Sequence, residues 1–222
     1  MINKITLIEA HPGIIADQLL NNQIDIGLVP VAIIPKLSKS FIITDYCIGT
    51  EGQVASVAIF SDVPIEDIQT VILDYQSRTS INLAKILLNE YWQLNVKFIH
   101  ASDNYIDEIK GTTAGVVIGD RALDQQQKSK YMYDLGAAWK AHTGLPFVFA
   151  AWVANKAIDI DFIDAFNRAN AYGVNHIDEV LESVVYEHYD LRKYYTKNLS
   201  YQLDDEKRKG LDLFLQKLAN IQ

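Results

Sequence analysis

Short runs rich in Val, Ile and Phe alternate along the chain with stretches whose apolar residues recur at i, i+3 and i+4. These are the marks of strands and amphipathic helices. "KITLIEA" (4–10) predicts a strand, and "HPGIIADQLLNNQ" (11–23) a helix with Ile14, Ile15, Leu19 and Leu20 as its apolar positions. "IDIGLVPVA" (24–32), "FIITDYCI" (41–48), "QVASVAIFS" (53–61) and "TVILDY" (70–75) read as further strands, the last followed by a helix over 79–92. "VKFIHA" (96–101) and "AGVVIG" (114–119) are strands flanking a short helix at "YIDEIKG" (105–111), and "PFVFAAWVA" (146–154) is the last strand. From residue 161 the pattern is helical and charged.

Strands alternating with helices predict an α/β fold with a largely parallel sheet. Two runs, "GQVASVAIF" and "LPFVFAAWVA", are longer than the others and bracket a compact α/β unit. If both carry the chain across, residues 53–149 form one lobe and residues 1–52 with 150–222 the other. That is a two-lobe clamp with its ligand cleft at a two-strand hinge.

Composition changes this picture little. The chain has 222 residues, 49% of them hydrophobic and 22% charged, enough for a sizeable core. A net charge of −8 and a pI near 5.1 argue against nucleic acid or an acidic membrane surface as partner, but not against a small anion in a local basic pocket. The single cysteine, Cys47, excludes an internal disulfide and a cysteine metal site, and fits a reducing, cytoplasmic setting. No apolar stretch is long enough to span a bilayer, and no metal spacing links the five histidines.

Candidate chemistry gathers where strands end. "LDYQSRTS" (73–80) is a strand that breaks into hydroxyls at a helix start. Ser77 could simply cap the helix. Equally, Thr79 and Ser80 could join the helix N–H groups in holding a carboxylate or phosphate. "VVIGDRAL" (116–123) ends another strand: Gly119 permits close approach of backbone to a ligand. Asp120 could accept a proton or orient a donor, or it could cap a helix beginning at Arg121. "GLVPVA" (27–32) finishes a third strand at Pro30 and brings Val31 to the same edge. Ligands in open α/β sheets sit beyond such carboxyl ends. Ser56, in "TEGQVASV" (50–57), lies at the expected hinge as either a core hydroxyl or a ligand contact.

"DIGLVPVA", "GQVASVAIFSDVP", "LDYQSRTS", "VVIGDRAL" and "DLGAAWKAHTGLPFVFAAW" occur between residues 25 and 152. In that order and at that spacing the chain resembles the chorismate dehydratases of the futalosine route to menaquinone. The resemblance implies the two-lobe fold of type II periplasmic binding proteins and a small dicarboxylate substrate, chorismate. It implies loss of the C3 proton and C4 hydroxyl as water, giving 3-[(1-carboxyvinyl)oxy]benzoate, with no metal or organic cofactor. It further implies that Thr79 and Ser80 hold one carboxylate and that Ser56 bonds the ligand, with Val31, Gly119 and Asp120 lining the cleft. The direction of Arg78 stays open: it need not face the cleft and could instead brace the helix start. A sister family making 1,4-dihydroxy-6-naphthoate carries an Ile-His-Glu-like stretch where this chain has Ile118-Gly119-Asp120, so it resembles this chain less. A solute-binding protein that captures a carboxylate without chemistry would share the fold. One departure stands out: the family's N-terminal strand and its "SYLN"-like loop, with the expected catalytic asparagine, have no counterpart from Met1 onward.

Overall fold

The computed structural model describes residues 5–74, 77–102 and 104–221. Helix α1 (Pro12–Leu20) opens on a proline, whose missing N–H costs nothing in the first turn, and leads into β1 (Ile26–Pro30). A 3-10 turn (Val31–Lys36) and β2 (Phe41–Thr50) follow. Next come β3 (Val57–Ser61), β4 (Thr70–Leu73), α2 (Arg78–Glu90), β5 (Lys97–His100) and β6 (Thr113–Ile118). Then α3 (Asp120–Gln125), β7 (Tyr131–Asp134), α4 (Leu135–Thr143) and β8 (Phe147–Ala154) complete the sheets but for one short strand. The tail contains α5 (Ile160–Asn175), α6 (Ile177–Leu181), α7 (Leu191–Lys193), a π-helical turn (Tyr194–Asn198), β9 (Ser200–Gln202) and α8 (Asp205–Asn220).

Among the described residues the strands form two sheets, ordered β1-β8-β2-β9 and β5-β4-β6-β3-β7. The chain leaves the first sheet through the loop 51–56 and returns through α4, so every strand of the second sheet falls within residues 57–134. This is the two-sheet, twice-crossed arrangement of a two-lobe binding fold. The crossings also overturn the expectation of a largely parallel sheet. Among the described residues the parallel pairs are β4 with β5 and β4 with β6, whereas β3 enters from the other sheet and runs antiparallel to both β6 and β7. All pairs in the first sheet are antiparallel.

Two local expectations also change. Residues 5–10 form no strand, and Ile5, Leu7 and Ile8 are exposed; Lys4, where the expected strand began, lies outside the described residues. The segment pairs with no described strand, and an isolated strand has no ladder to satisfy its backbone. The tail is less uniformly helical than its charge pattern predicts, because β9 adds to the edge of β2.

Buried residues from β1, β8, α2, α8 and one face of β3 join one continuous apolar cluster, so the two sheets share a core, while Ala58 and Phe60 on the other face of β3 pack in a second cluster. Trp139 of α4, Phe147 of β8 and Phe214 of α8 meet edge to face at centroid distances of 5.1–6.3 Å and fasten the returning chain to the C-terminal helix. Among the described residues, no helix is long and apolar enough to cross a membrane.

Candidate functional site

The carboxyl ends of β4 and β6 and the amino end of β3 share one edge of the second sheet. Strand register dictates this. β4 runs parallel to β6 with Ile72 opposite Gly115, while β3 runs antiparallel to β6 with Val57 opposite Ile118. Asp74 and the helix start at 77–80, then Gly119, then Ser56 are therefore the residues that leave these ends.

Ser56 is buried and held at both backbone groups. Its carbonyl accepts the Gly119 N–H at 2.8 Å, and its own N–H donates to the Val54 carbonyl at 2.8 Å. That second bond closes a three-residue γ-turn centred on Ala55, whose φ is +65°. A side chain in this left-handed region costs about 1–3 kcal/mol and persists only where its surroundings over-determine it. Here the Asp134 carboxylate accepts the Val54 and Ala55 N–H groups, the latter at 2.7 Å, while Gln126 donates to the Ala55 carbonyl. Asp134 also caps α4 through the Ala137 N–H. Burial pushes the Asp134 carboxyl up from the usual aspartate value, and these N–H donors only partly counter the push. The Ser56 hydroxyl oxygen accepts a hydrogen bond from the Tyr194 phenol at 2.8 Å.

The helix start resolves into separate tasks. Ser77 is the cap: its hydroxyl oxygen accepts the Ser80 N–H at 3.0 Å. Thr79 and Ser80 are both buried, and the Thr79 oxygen accepts the Ala32 N–H at 3.2 Å. Ala32 follows Val31, fully buried at the first position of the 3-10 turn, so the end of β1 in the first sheet abuts the start of α2 beside the second. Arg78 turns away from this junction onto Asp17 of α1, at 2.6 Å. The amino end of α2, thirteen residues long, adds its partial positive charge.

Gly119 takes φ +64° and ψ −147°, a conformation open essentially to glycine alone. Asp120 is exposed and is itself the first residue of α3; Gly119 occupies the cap position, so Asp120 is not the cap of a helix beginning at Arg121. Between the two strand ends, the fully buried Asp74 carboxylate accepts the Tyr105 phenol at 2.8 Å and Arg121 at 2.7 Å. Arg121 thus brings a cation to the same edge. Hydrogen bonds join Ser56 with Gly119 and Val31's neighbour Ala32 with Thr79; the sheet register puts both groups on one edge, with Asp120 at its exposed rim.

Sequence reasoning passed over Asp134, Gln126, Tyr194 and Asn198, whose side-chain amide donates to the Gln53 carbonyl at 3.1 Å. Asp134 opens "DLGAAW", directly before a helical pattern, which is the sequence signal of a cap. Tyr194 and Asn198 lie in "YYTKNLSY", a run whose polar aromatics break helical spacing, which was the available signal.

Comparison with known proteins adds three findings. Residues 2–220 match the family described as menaquinone biosynthesis. The chorismate dehydratase of Thermus thermophilus is 25% identical over 242 aligned positions, covering 96% of this chain and 86% of that protein. Among solved structures, a protein from Archaeoglobus fulgidus superposes with a TM-score of 0.73 at 14% identity, covering 97% of this chain and 85% of that one. An ABC transporter protein from Parabacteroides distasonis gives 0.59 at 15% identity, covering 97% and 81%.

Proposed function

Because the chain belongs to the menaquinone biosynthesis family, we propose that it is a hydro-lyase acting on chorismate. The observation that carries this reading is the match along almost the whole chain, joined to the similarity with a chorismate dehydratase. The edge between the sheets supports it on chemical grounds. Chorismate carries two carboxylates, and burying a carboxylate is costly unless donors meet it. The amino end of α2, the Thr79, Ser80 and Ser56 hydroxyls and the nearby Arg121 are donors of the required kind. We take residues 1–52 with 150–222 as one lobe, residues 53–149 as the other, and the cleft between them as the substrate site.

The reaction breaks the C3–H bond, and its electron pair becomes the C3–C4 π bond as the C4–O bond breaks. The hydroxyl leaves with a proton as water, and the ring becomes aromatic. Aromatisation drives the step, so the protein's part is to orient the ring and fix its charges in a dry cleft. Among the described residues of the edge no side chain is an evident base for the C3 proton, and the alternative is a base supplied by the substrate itself.

The test is to mix the full-length protein with chorismate and follow loss of the diene absorbance and gain of the aromatic ether. Tight binding with no product would replace this reading with carboxylate capture alone. No binding would remove both.

A further inference from the structure

The tail from Tyr186 to Asn198 is bonded at several points to α3, to the turn after it and to the crossing loop 51–56, all beside the second sheet's edge. The Tyr186 phenol donates to the Asp124 carboxylate at 2.6 Å, with the Asp120 carbonyl 3.3 Å away, and Gln127 donates to the His188 carbonyl. The Tyr189 phenol donates to Asn198, which in turn donates to Gln53 in the crossing loop. Within this strap, the one side chain that reaches the hydroxyl of a candidate ligand contact among the described residues is Tyr194, on Ser56 at 2.8 Å.

A serine hydroxyl has one proton to give and two lone pairs to receive. Between a phenol and an alkyl hydroxyl, the phenol is the more acidic and hence the better donor. Burial pushes the Tyr194 phenol further up from its usual value, so it keeps its proton throughout the neutral range. With one lone pair of Ser56 filled by Tyr194, the serine proton is free to swing toward a carboxylate, and a chain of two such bonds polarises in one direction.

We propose that Tyr194 is a positioning residue: it donates to Ser56 and thereby aims the Ser56 proton at a substrate carboxylate. The inference rests on the reading of the edge as a carboxylate site. It assigns the tail strap, which neither strand pattern nor resemblance singled out, a part in recognition. Ser56 is the contact, and Tyr194 acts through it.

A double-mutant cycle on ligand binding tests this. Tyr194→Phe and Ser56→Ala are made singly and together in the full-length protein, with Tyr189→Phe as a strap variant that does not touch Ser56. Dissociation constants are measured by calorimetry for chorismate and for the unreactive benzene-1,3-dicarboxylate. Tyr194→Phe is expected to weaken binding roughly ten-fold when Ser56 is present, the size of one lost hydrogen bond to a charged group's partner. It should have almost no effect in the Ser56→Ala background, and Tyr189→Phe should bind as the parent does. Equal losses in both backgrounds, no loss in either, or equal loss with Tyr189→Phe would overturn the proposal. A Tyr194→Phe protein that fails to fold would overturn it too, because the hydroxyl would then serve the fold. Coupled losses without turnover would leave this inference standing and remove only the dehydratase activity. Turnover without coupling would do the reverse, and a parent that binds neither dicarboxylate would remove both.

Discussion

The Thr79 hydroxyl oxygen accepts the Ala32 amide at 3.2 Å, joining the helix that starts at one sheet to the turn that ends a strand of the other. Both groups are buried. Thr79→Val keeps the shape but leaves the Ala32 N–H without this acceptor, at a cost of about 1–3 kcal/mol in stability. It also removes a donor from the proposed carboxylate site, so chorismate affinity should fall by a further ~1–3 kcal/mol. Thr79→Ser, which keeps the hydroxyl, should recover most of both. Urea midpoints and dissociation constants read the two effects separately, and unchanged affinity in Thr79→Val would reduce Thr79 to a structural link.

Arg78, next in sequence, should behave oppositely. Its guanidinium pairs with Asp17 at 2.6 Å, but the two side chains are 34% and 58% exposed. Exposed pairs are worth about 0–1 kcal/mol and weaken with salt. Arg78→Ala is therefore expected to lower stability slightly at low ionic strength, and not at all in molar salt, with chorismate affinity unchanged. A marked loss of affinity would mean that this guanidinium leaves Asp17 for the ligand.

Arg121 is the cation with more at stake. Its partner Asp74 is fully buried at the end of β4, close to the amino end of α2. Removing the guanidinium from a buried carboxylate is costly, but Arg121 is itself one-third exposed, so water moderates the loss. Arg121→Gln should cost about 1–3 kcal/mol in urea melts. Chorismate affinity should fall as well, because Asp74 then repels an incoming carboxylate. Asp74→Asn in the same chain should restore part of that affinity. If it does not, the pair serves the fold alone.

These contrasts show what the sequence could and could not carry. Strand ends were legible because hydrophobic runs stop abruptly at "SRTS" and "GDRAL" and Pro30 breaks "LVPVA", and parallel pairing of β4 with β6 puts the first two of those ends on one edge. Ser77 as cap was legible from its place before a helical pattern. The direction of Arg78 was not, since Asp17 stands 61 residues away, and neither was Tyr194, which meets Ser56 across 138 residues. Local pattern reports which face an element buries; it does not report which distant loop is folded onto its end. The antiparallel course of β3 escaped for the same reason, since it follows from which sheet the chain has just left.

Acid should weaken the fold through two carboxylates on its C-terminal helix side. Glu90 of α2 meets Lys217 of α8 and His142 of α4. Burial alone would raise its carboxyl, but the bonds from Lys217 and His142 outweigh that and hold it below the usual glutamate value. Asp204, the cap of α8, is likewise pushed up by burial and pulled further down by the Lys207 amide and ammonium. A carboxyl whose folded value lies below its unfolded one stabilises the fold fully above the unfolded value, about 4, and loses that contribution as pH falls through the folded value. Asp134, whose value is raised, has the opposite sign: it loses stabilisation as pH rises through its window and so softens the acid loss. Lys217→Met deletes the main support of the Glu90 shift. Its stability should trail the parent's by less than ~1 kcal/mol at pH 7, as befits a partly exposed pair. The gap should narrow as pH falls below ~4 and close as it passes through the lowered folded value of Glu90, where the carboxyl is protonated in both proteins. Urea melts of both proteins at pH 7, 5 and 3.5 measure this. A gap that stays constant or widens toward pH 3.5 would show that Lys217 acts on the fold through packing rather than through the Glu90 charge.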